Sequence, residues 1–293
     1  SFLSFLGNPD LNPEVNVSYE VGYKSQIGKN IGLTLAAYNN NRFDYIVSRR
    51  VIVNDQTGRP VSKTMYINQD YAKVQGAEVN LIWRVTQYLR TFSNVAYQLA
   101  KGKSNSARES SLQIEQNGEV PLSSEQYLAW DRPWNINLGV VFAPDTTFRL
   151  YGKWMQRMQL YFSSSYQSGF RYTPMIREGE NQLGRPEYAP DLNSFLEERA
   201  TPWINGDIKI TKTFANKKSK GITLSVEARN VFNNQNAQII NAVTGRAWEP
   251  GDDLPNNQRD DRYLGPEESG TPPNNPARYQ APRQLIFGIS FRL

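Results

Sequence analysis

Residues 283–293, R-Q-L-I-F-G-I-S-F-R-L, restrict the fold more than any other stretch of the chain. Leu285, Phe287, Ile289, Phe291 and Leu293 share one parity, and Gln284, Gly288, Ser290 and Arg292 share the other; Ile286 alone breaks the rule. A period of two means a strand with one apolar and one polar face. The apolar face is carried to residue 293, where a soluble domain more often frays into polar residues. Two readings are open at this point. One is a late strand of a soluble sandwich; the other is a membrane strand with lipid on one side and water on the other.

The same alternation recurs along the chain and predicts nine strands. The first runs over 14–27, with Val15, Val17, Tyr19, Val21 and Tyr23 opposite Asn16, Ser18, Glu20, Gly22 and Lys24, and Gly28-Lys-Asn30 turns it. The second runs over 31–47, a polar loop containing residues 54–58 follows, and the third runs over 66–85. A turn near Thr86 leads to the fourth, 90–100, and a long polar loop, 101–130, to the fifth, 133–143. Pro144-Asp-Thr-Thr147 precedes the sixth, 148–160, in which Phe148, Leu150, Gly152 and Trp154 alternate with Arg149, Tyr151, Lys153 and Arg157. After a loop to about 201 come the seventh, 202–214, and the eighth, 222–229. The longest loop, 233–282, delivers the chain to the ninth.

Short turns and long loops therefore alternate, which places all short turns at one end of the sheet and all long loops at the other. Outer-membrane barrels are built this way, and a sandwich has no reason to hold the asymmetry through four hairpins. The polar parity carries Glu, Lys, Arg, Asn and Asp in nearly every strand, while Trp and Tyr sit on the apolar parity, as in an aromatic girdle. About ten residues rising ~3.3 Å each and tilted ~45° climb roughly 23 Å, close to the apolar band of such barrels. No window reaches the ~18 apolar residues of a membrane helix. The fold class is accordingly all-β, a transmembrane antiparallel barrel segment of about nine strands. An antiparallel ring closes with an even count, so nine strands, with the first entering from the long-loop end, imply part of a longer barrel; the alternative is a further strand hidden in a long loop.

Cys and His are absent, which excludes Cys or His zinc sites and Ser-His or Cys-His catalysis. The net charge of +5 is spread along the chain, with no basic block or nucleic-acid motif. No catalytic constellation, cofactor motif or metal spacing is found. Glu249, Asp252, Asp253, Asp260 and Asp261 are acidic, yet lack the D-x-D-x-D-G spacing of a calcium loop and read as solvated loop charge.

Asn8-Pro-Asp-Leu-Asn-Pro-Glu14 followed by Tyr19-Glu-Val-Gly-Tyr-Lys24 resembles a stretch of the TonB-dependent outer-membrane receptors. Tyr71-Ala-Lys-Val-Gln-Gly-Ala-Glu78 looks like a strand opening of that family, and Ala228-Arg-Asn-Val-Phe-Asn233 is similar to its N-L/V-F-N/D near the penultimate strand. The resemblance implies a 22-stranded barrel, of which this chain would be about strands 14 to 22. It also implies that the plug, the TonB box and the first barrel strands are not in this chain. The family usually ends on an aromatic; here Arg292 and Leu293 follow Phe291, so Phe287, Phe291 and Leu293 are the expected barrel-assembly signal.

The resemblance further implies a receptor that takes up a scarce solute (ferric siderophore, cobalamin, glycan or peptide) and is not an enzyme. Its implied partners are outer-membrane lipid, the absent plug and barrel portion, the TonB energy-coupling complex and the barrel-assembly machinery, with no nucleic acid. Its implied location is the bacterial outer membrane, long loops outside and the C-terminus periplasmic. Tyr161, Tyr166, Phe170 and Tyr172, expected in the third long loop, and Trp248 are the candidate ligand-binding aromatics, and the loop aromatics read equally as anchors of the strand ends in lipid headgroups. Inward Arg149, Lys153, Arg157, Glu227 and Arg229 are expected to pair on the wall, and Asn230 and Phe232 to be strand-end structure. The alternative from another class is a soluble β-rich carbohydrate-binding or structural domain.

Overall fold

The computed structural model describes residues 5–54, 57–103, 125–150, 152–180, 182, 184, 186–215, 221–249, 252 and 278–292. Asp253, Asp260, Asp261 and Leu293 lie outside them. The strands in chain order are β1 (Phe5–Leu6), β2 (Val15–Ile27), β3 (Ile31–Asn54), β4 (Pro60–Arg84), β5 (Leu89–Gly102), β6 (Gln126–Tyr127), β7 (Trp134–Phe142) and β8 (Met158–Gln167). They continue with β9 (Arg171–Tyr172), β10 (Met175–Glu180), β11 (Pro186–Pro190), β12 (Glu198–Arg199), β13 (Trp203–Ala215), β14 (Gly221–Arg229) and β15 (Gln284–Arg292). Two short 3₁₀ turns, at Lys153–Met155 and Leu192–Ser194, are the helical elements among the described residues.

Nine strands form the path of the main sheet, in the order β15-β14-β13-β8-β7-β5-β4-β3-β2. Each neighbour in that order is also the next long strand in the chain, so the sheet is a meander, and the pairings from β5 to β15 are antiparallel. Eight of the expected strands are found, within a few residues at most ends. The sixth is displaced. Residues 148–150 and 152–157 form turns, and the strand begins at Met158. Gly152 (φ 85°) and Arg157 (φ 59°) turn the backbone out of the extended region there. The second and third strands also run further than expected, to Asn54 and back to Pro60, because Val51-Ile52-Val53 keeps a β-branched run going. At that hairpin, strand takes the place of the expected loop.

Backbone contacts divide the chain into two units: Ser1–Val21 with Ala37–Gly76 and Gln98–Arg132, and Gly22–Ala36 with Ala77–Tyr97 and Pro133–Leu293.

In the second unit the registers resolve the two faces row by row. Phe142, Leu160, Ile210, Val226 and Phe287 lie side by side across five strands. One residue along, Val141, Tyr161, Lys209, Glu227 and Ile286 form the next row, on the opposite face. The apolar face is uncovered: Phe287 is 74%, Ile289 65% and Phe291 69% exposed. Phe214, Ile222 and Phe291 align at its short-turn end, and Tyr97 and Trp134 meet at 4.8 Å between ring centroids toward the other end. A contiguous apolar face of this extent with aromatics at both margins fits contact with lipid.

On the polar face Glu227 holds Lys209 at 3.1 Å and Arg229 at 2.7 Å. The expected charge pairing is found for these residues; Arg149, Lys153 and Arg157 lie in the turn before β8 instead. Phe92 of β5 lies flat over Gly139 of β7, where a Cβ would come within 2.0 Å of the ring, and stacks on Tyr161 at 6.4 Å.

Short connections close the hairpins at one end. Thr86 Oγ1 accepts from the Tyr88 and Leu89 amides at 3.1 and 3.0 Å, and Gly28 turns at φ 59°. Asp145 Oδ1 accepts from the Thr147 amide and hydroxyl at 2.7 and 2.6 Å. These bonds hold the Asp145 carboxyl below its usual range.

Candidate functional site

The first unit carries a cleft of about 330 Å³ built by the long-loop ends of its strands. Asn16 of β2, Asn40, Arg42 and Tyr45 of β3, and Ala72 and Val74 of β4 form its wall, and Leu128 and Trp130 close it from the segment after β6. Its size and mixed lining suit part of a polar or aromatic ligand.

Each contributor is fixed by local chemistry. The motif at residues 8–14 stitches the segment before β2 onto its neighbours. Asn8 Nδ2 donates to the Tyr66 carbonyl at 2.8 Å, and the Asn12 amide to Asn68 Oδ1 at 2.8 Å. Asn68 Nδ2 donates back to the Asn12 and Asp44 carbonyls at 2.9 and 2.8 Å. Glu14 Oε1 accepts from the Ile46 amide at 3.1 Å, and its other oxygen lies 3.9 Å from Arg42. The guanidinium of Arg42 sits 5.6 Å over the Tyr45 ring, an arrangement that offers a planar cation beside an aromatic face.

Trp130 is 47% exposed, although the residues around it are locked. Fully buried Asp131 accepts from the Ala100 amide at 2.8 Å; the Leu128 amide donates to Ala100 at 3.1 Å, and the Asp131 amide to Leu128 at 2.8 Å. Gly102 allows the close approach, since a Cβ there would stand 2.5 Å from the Tyr71 carbonyl oxygen. A large indole held open on a rigid support is a ready stacking surface. Sequence reasoning missed Trp130, Arg42 and Tyr45. The long polar run at 101–130 hid the first, and the other two lie beyond the regular alternation of β3.

The five aromatics expected from the sequence are not brought together. Tyr161 and Tyr166 belong to strand β8 and not to a loop, which corrects their expected position. They are five apart in a strand, so they point to opposite faces: Tyr161 joins the polar face beside Lys209, and Tyr166 pairs with Ile136 and Ile204 on the other. Phe170 and Tyr172 pack on a small cluster of Ala200, Ala237 and Ile240. Burial, with the Glu198 carboxylate opposite, pushes the Tyr172 phenol up from its ordinary value. Trp248 is 7% exposed and lies under the Arg278 guanidinium at 5.3 Å.

The remaining motif residues near these aromatics are structural. Asn230 (φ 48°) takes the Asn234 amide on its side-chain oxygen at 3.0 Å and donates to the Asn234 and Ala281 carbonyls at 3.0 and 3.2 Å. Phe232 covers Gly206, and Asn233 Oδ1 receives the Arg283 amide at 3.1 Å, which sets the approach to β15. Asp252 forks onto Arg246 at 2.8 and 3.1 Å, with Glu249 at 3.2 Å from the same guanidinium. That acidic pair is neutralised by an arginine. Among the described residues no group of His, Cys, Asp and Glu could hold a metal ion.

The model of the β-barrel of TonB dependent receptor-like proteins matches residues 2–231. The iron-regulated outer membrane virulence protein of Vibrio cholerae is 29% identical over 102 residues, which are 33% of this chain and 16% of that protein. The outer membrane transporter YddB from Escherichia coli superposes with a TM-score of 0.56 at 14% identity, covering 99% of this chain and 34% of its own. FpvAI, in its complex with pyocin S2, gives 0.50 at 14% identity, covering 95% of this chain and 28% of its own. At such identities the structural likeness shows the fold. The chain spans about a third of the length of the transporter it overlays. Nine meandering strands with one uncovered apolar face, and a family match over most of the sequence, agree: the chain belongs to the TonB-dependent receptor β-barrel family of the bacterial outer membrane.

Proposed function

We propose that the chain is part of the barrel wall of an outer-membrane receptor that takes up a scarce polar solute under TonB energisation. The observation that carries this reading is the pair of opposed faces, apolar and uncovered outside, polar and charge-paired inside, in a member of this family. A wall of that kind separates lipid from an aqueous path. In this proposal the short turns are periplasmic and the long loops extracellular. The plug, the TonB-contacting segment and the remaining strands come from polypeptide beyond these residues, and Phe287 and Phe291 on the closing strand serve barrel assembly.

The solute is met by Arg42, Tyr45 and Trp130 at the long-loop end. Of the aromatics expected from the sequence, Tyr161 faces the path, while Phe170, Tyr172 and Trp248 shape the loops and Tyr166 supports them from the outer face. A ferric siderophore, a cobalamin, a glycan or a peptide all present groups that stack on Trp and pair with Arg. The test is solute accumulation by cells carrying the full-length receptor, with and without a working TonB. Accumulation should vanish without TonB and fall at least tenfold in Trp130→Ala and Arg42→Gln at unchanged receptor level. Uptake indifferent to TonB, or a chain monodisperse in buffer without detergent, would overturn the proposal.

A further inference from the structure

At the short-turn end of the second unit, its polar face opens into a groove of about 490 Å³. Four cations line it: Lys24 of β2, Lys29 in the turn that follows, Arg84 at the end of β4 and Arg90 at the start of β5. The Arg84 amide donates to Asn30 at 2.8 Å, which sets the end of β4 against the β2–β3 turn. Ser25, Gln26 and Asn30 add neutral hydrogen-bonding groups, and among the described residues no carboxylate lines the groove.

Several cations elsewhere on this unit do have partners, although Arg149, Lys153 and Arg283 have none among the described residues. Lys209 and Arg229 share Glu227, Arg177 meets Glu180, and Lys212 donates to the carbonyls of Trp154 and Gln156. The four groove cations, by contrast, make no side-chain hydrogen bond or ion pair with any described residue. Four like charges lining one groove, with no counter-charge among the described residues there, favour an anion in it. Two guanidinium forks suit the tetrahedral oxygens of phosphate, and two ammonium groups add point charge.

We infer that this groove is a binding site for a phosphate-bearing anion, either a free phosphorylated solute or the headgroup of an acidic phospholipid. The volume takes a diphosphate or one headgroup and does not take an extended polymer. This goes beyond the uptake reading and does not depend on which solute the receptor carries.

The test uses the full-length receptor folded in a neutral detergent and titrated calorimetrically with pyrophosphate. The parent should bind saturably, with affinity falling as salt rises. Arg84→Gln/Arg90→Gln should weaken binding at least tenfold, as should the turn-side pair Lys24→Gln/Lys29→Gln. Arg177→Gln, an exposed arginine remote from the groove in sequence, should leave it unchanged. Heat-modifiable gel mobility checks that each variant is folded. Vesicles containing phosphatidylglycerol, with phosphatidylcholine vesicles as the control, separate the two sources. Competition by the former alone assigns the site to a lipid headgroup, and pyrophosphate binding without that competition assigns it to a free solute. Absence of saturable binding to either probe, or binding that survives both double substitutions, overturns the inference.

Discussion

Asn236 offers the sharpest test of how the long-loop end is held together. Strand β14 leaves β13 at the Ile208–Ala228 pair, so Ile204 has no strand neighbour on that side. The Asn236 side chain, 1% exposed, takes the vacant place. Its oxygen accepts from the Ile204 amide at 2.9 Å and its nitrogen donates to the Ile204 carbonyl at 3.0 Å, as a strand residue would. The same nitrogen reaches Asn205 Oδ1 at 2.7 Å. Asn236→Ala removes both backbone partners at once. Each buried backbone group left unpaired costs about 1–3 kcal/mol, so the substitution should cost roughly 2–6 kcal/mol, water entry setting the lower end. Asn236→Asp keeps the acceptor, loses the donor and sets a charge against Asn205 Oδ1, and should cost about as much. Reversible urea unfolding in lipid vesicles, followed by tryptophan fluorescence, gives the magnitude, and amide exchange at Ile204 gives the location. A cost within about 0.5 kcal/mol of zero, the range of a neutral surface change, would refute the reasoning, as would an Ile204 amide still protected in the alanine variant.

The two faces of the sheet predict opposite responses to the same charge. Phe287→Lys places an ammonium on the apolar face and should destabilise the folded barrel by roughly 2–4 kcal/mol, whereas Ser290→Lys on the polar face should stay within about 1 kcal/mol of the parent; vesicle unfolding measures both. Gly206→Ala sets a Cβ 2.4 Å from the Phe232 ring and should cost about 1–3 kcal/mol, recovered in part by Phe232→Leu in a double-mutant cycle. Folding raises the Tyr172 phenol, so its contribution is complete below the ordinary tyrosine value near ~10 and is lost as pH climbs through the raised one. Tyr172→Phe should flatten that alkaline limb of the unfolding profile.

The nine-strand meander was legible because each strand alternates one apolar with one polar residue, which composition alone does not conceal. The sixth strand shows where that signal fails. Phe148, Leu150, Gly152 and Trp154 imitate a strand but sit in turns, where Phe148 packs on Tyr88 and Phe142 at 5.0 and 5.6 Å. The real strand carries Ser163-Ser164-Ser165, three small polar residues in a row that erase the contrast between parities. The candidate site was harder. Phe170 and Tyr172 are packed by residues about 28 to 70 positions further on, and Trp130 is presented through Asp131 and Ala100. Such contacts join segments whose spacing in sequence carries no periodic trace. The family motifs were legible as a resemblance, and their physical reason, the Asn8, Asn12 and Asn68 stitching and the Asn230 turn, needed coordinates.

The aromatic rings laid over glycines act as keys in a lock. Phe92 fits the notch of Gly139, Phe232 that of Gly206, and Ser225 Oγ stands 2.5 Å from where a Cβ of Gly288 would be. Sliding β5 along β7 by two residues keeps every face correct, yet drives the Phe92 ring into Asn137 or Val141. Lipid-facing alternation cannot tell those registers apart, since it is blind to shifts of two. The notches can, and they give a wall with repetitive chemistry a single vernier setting.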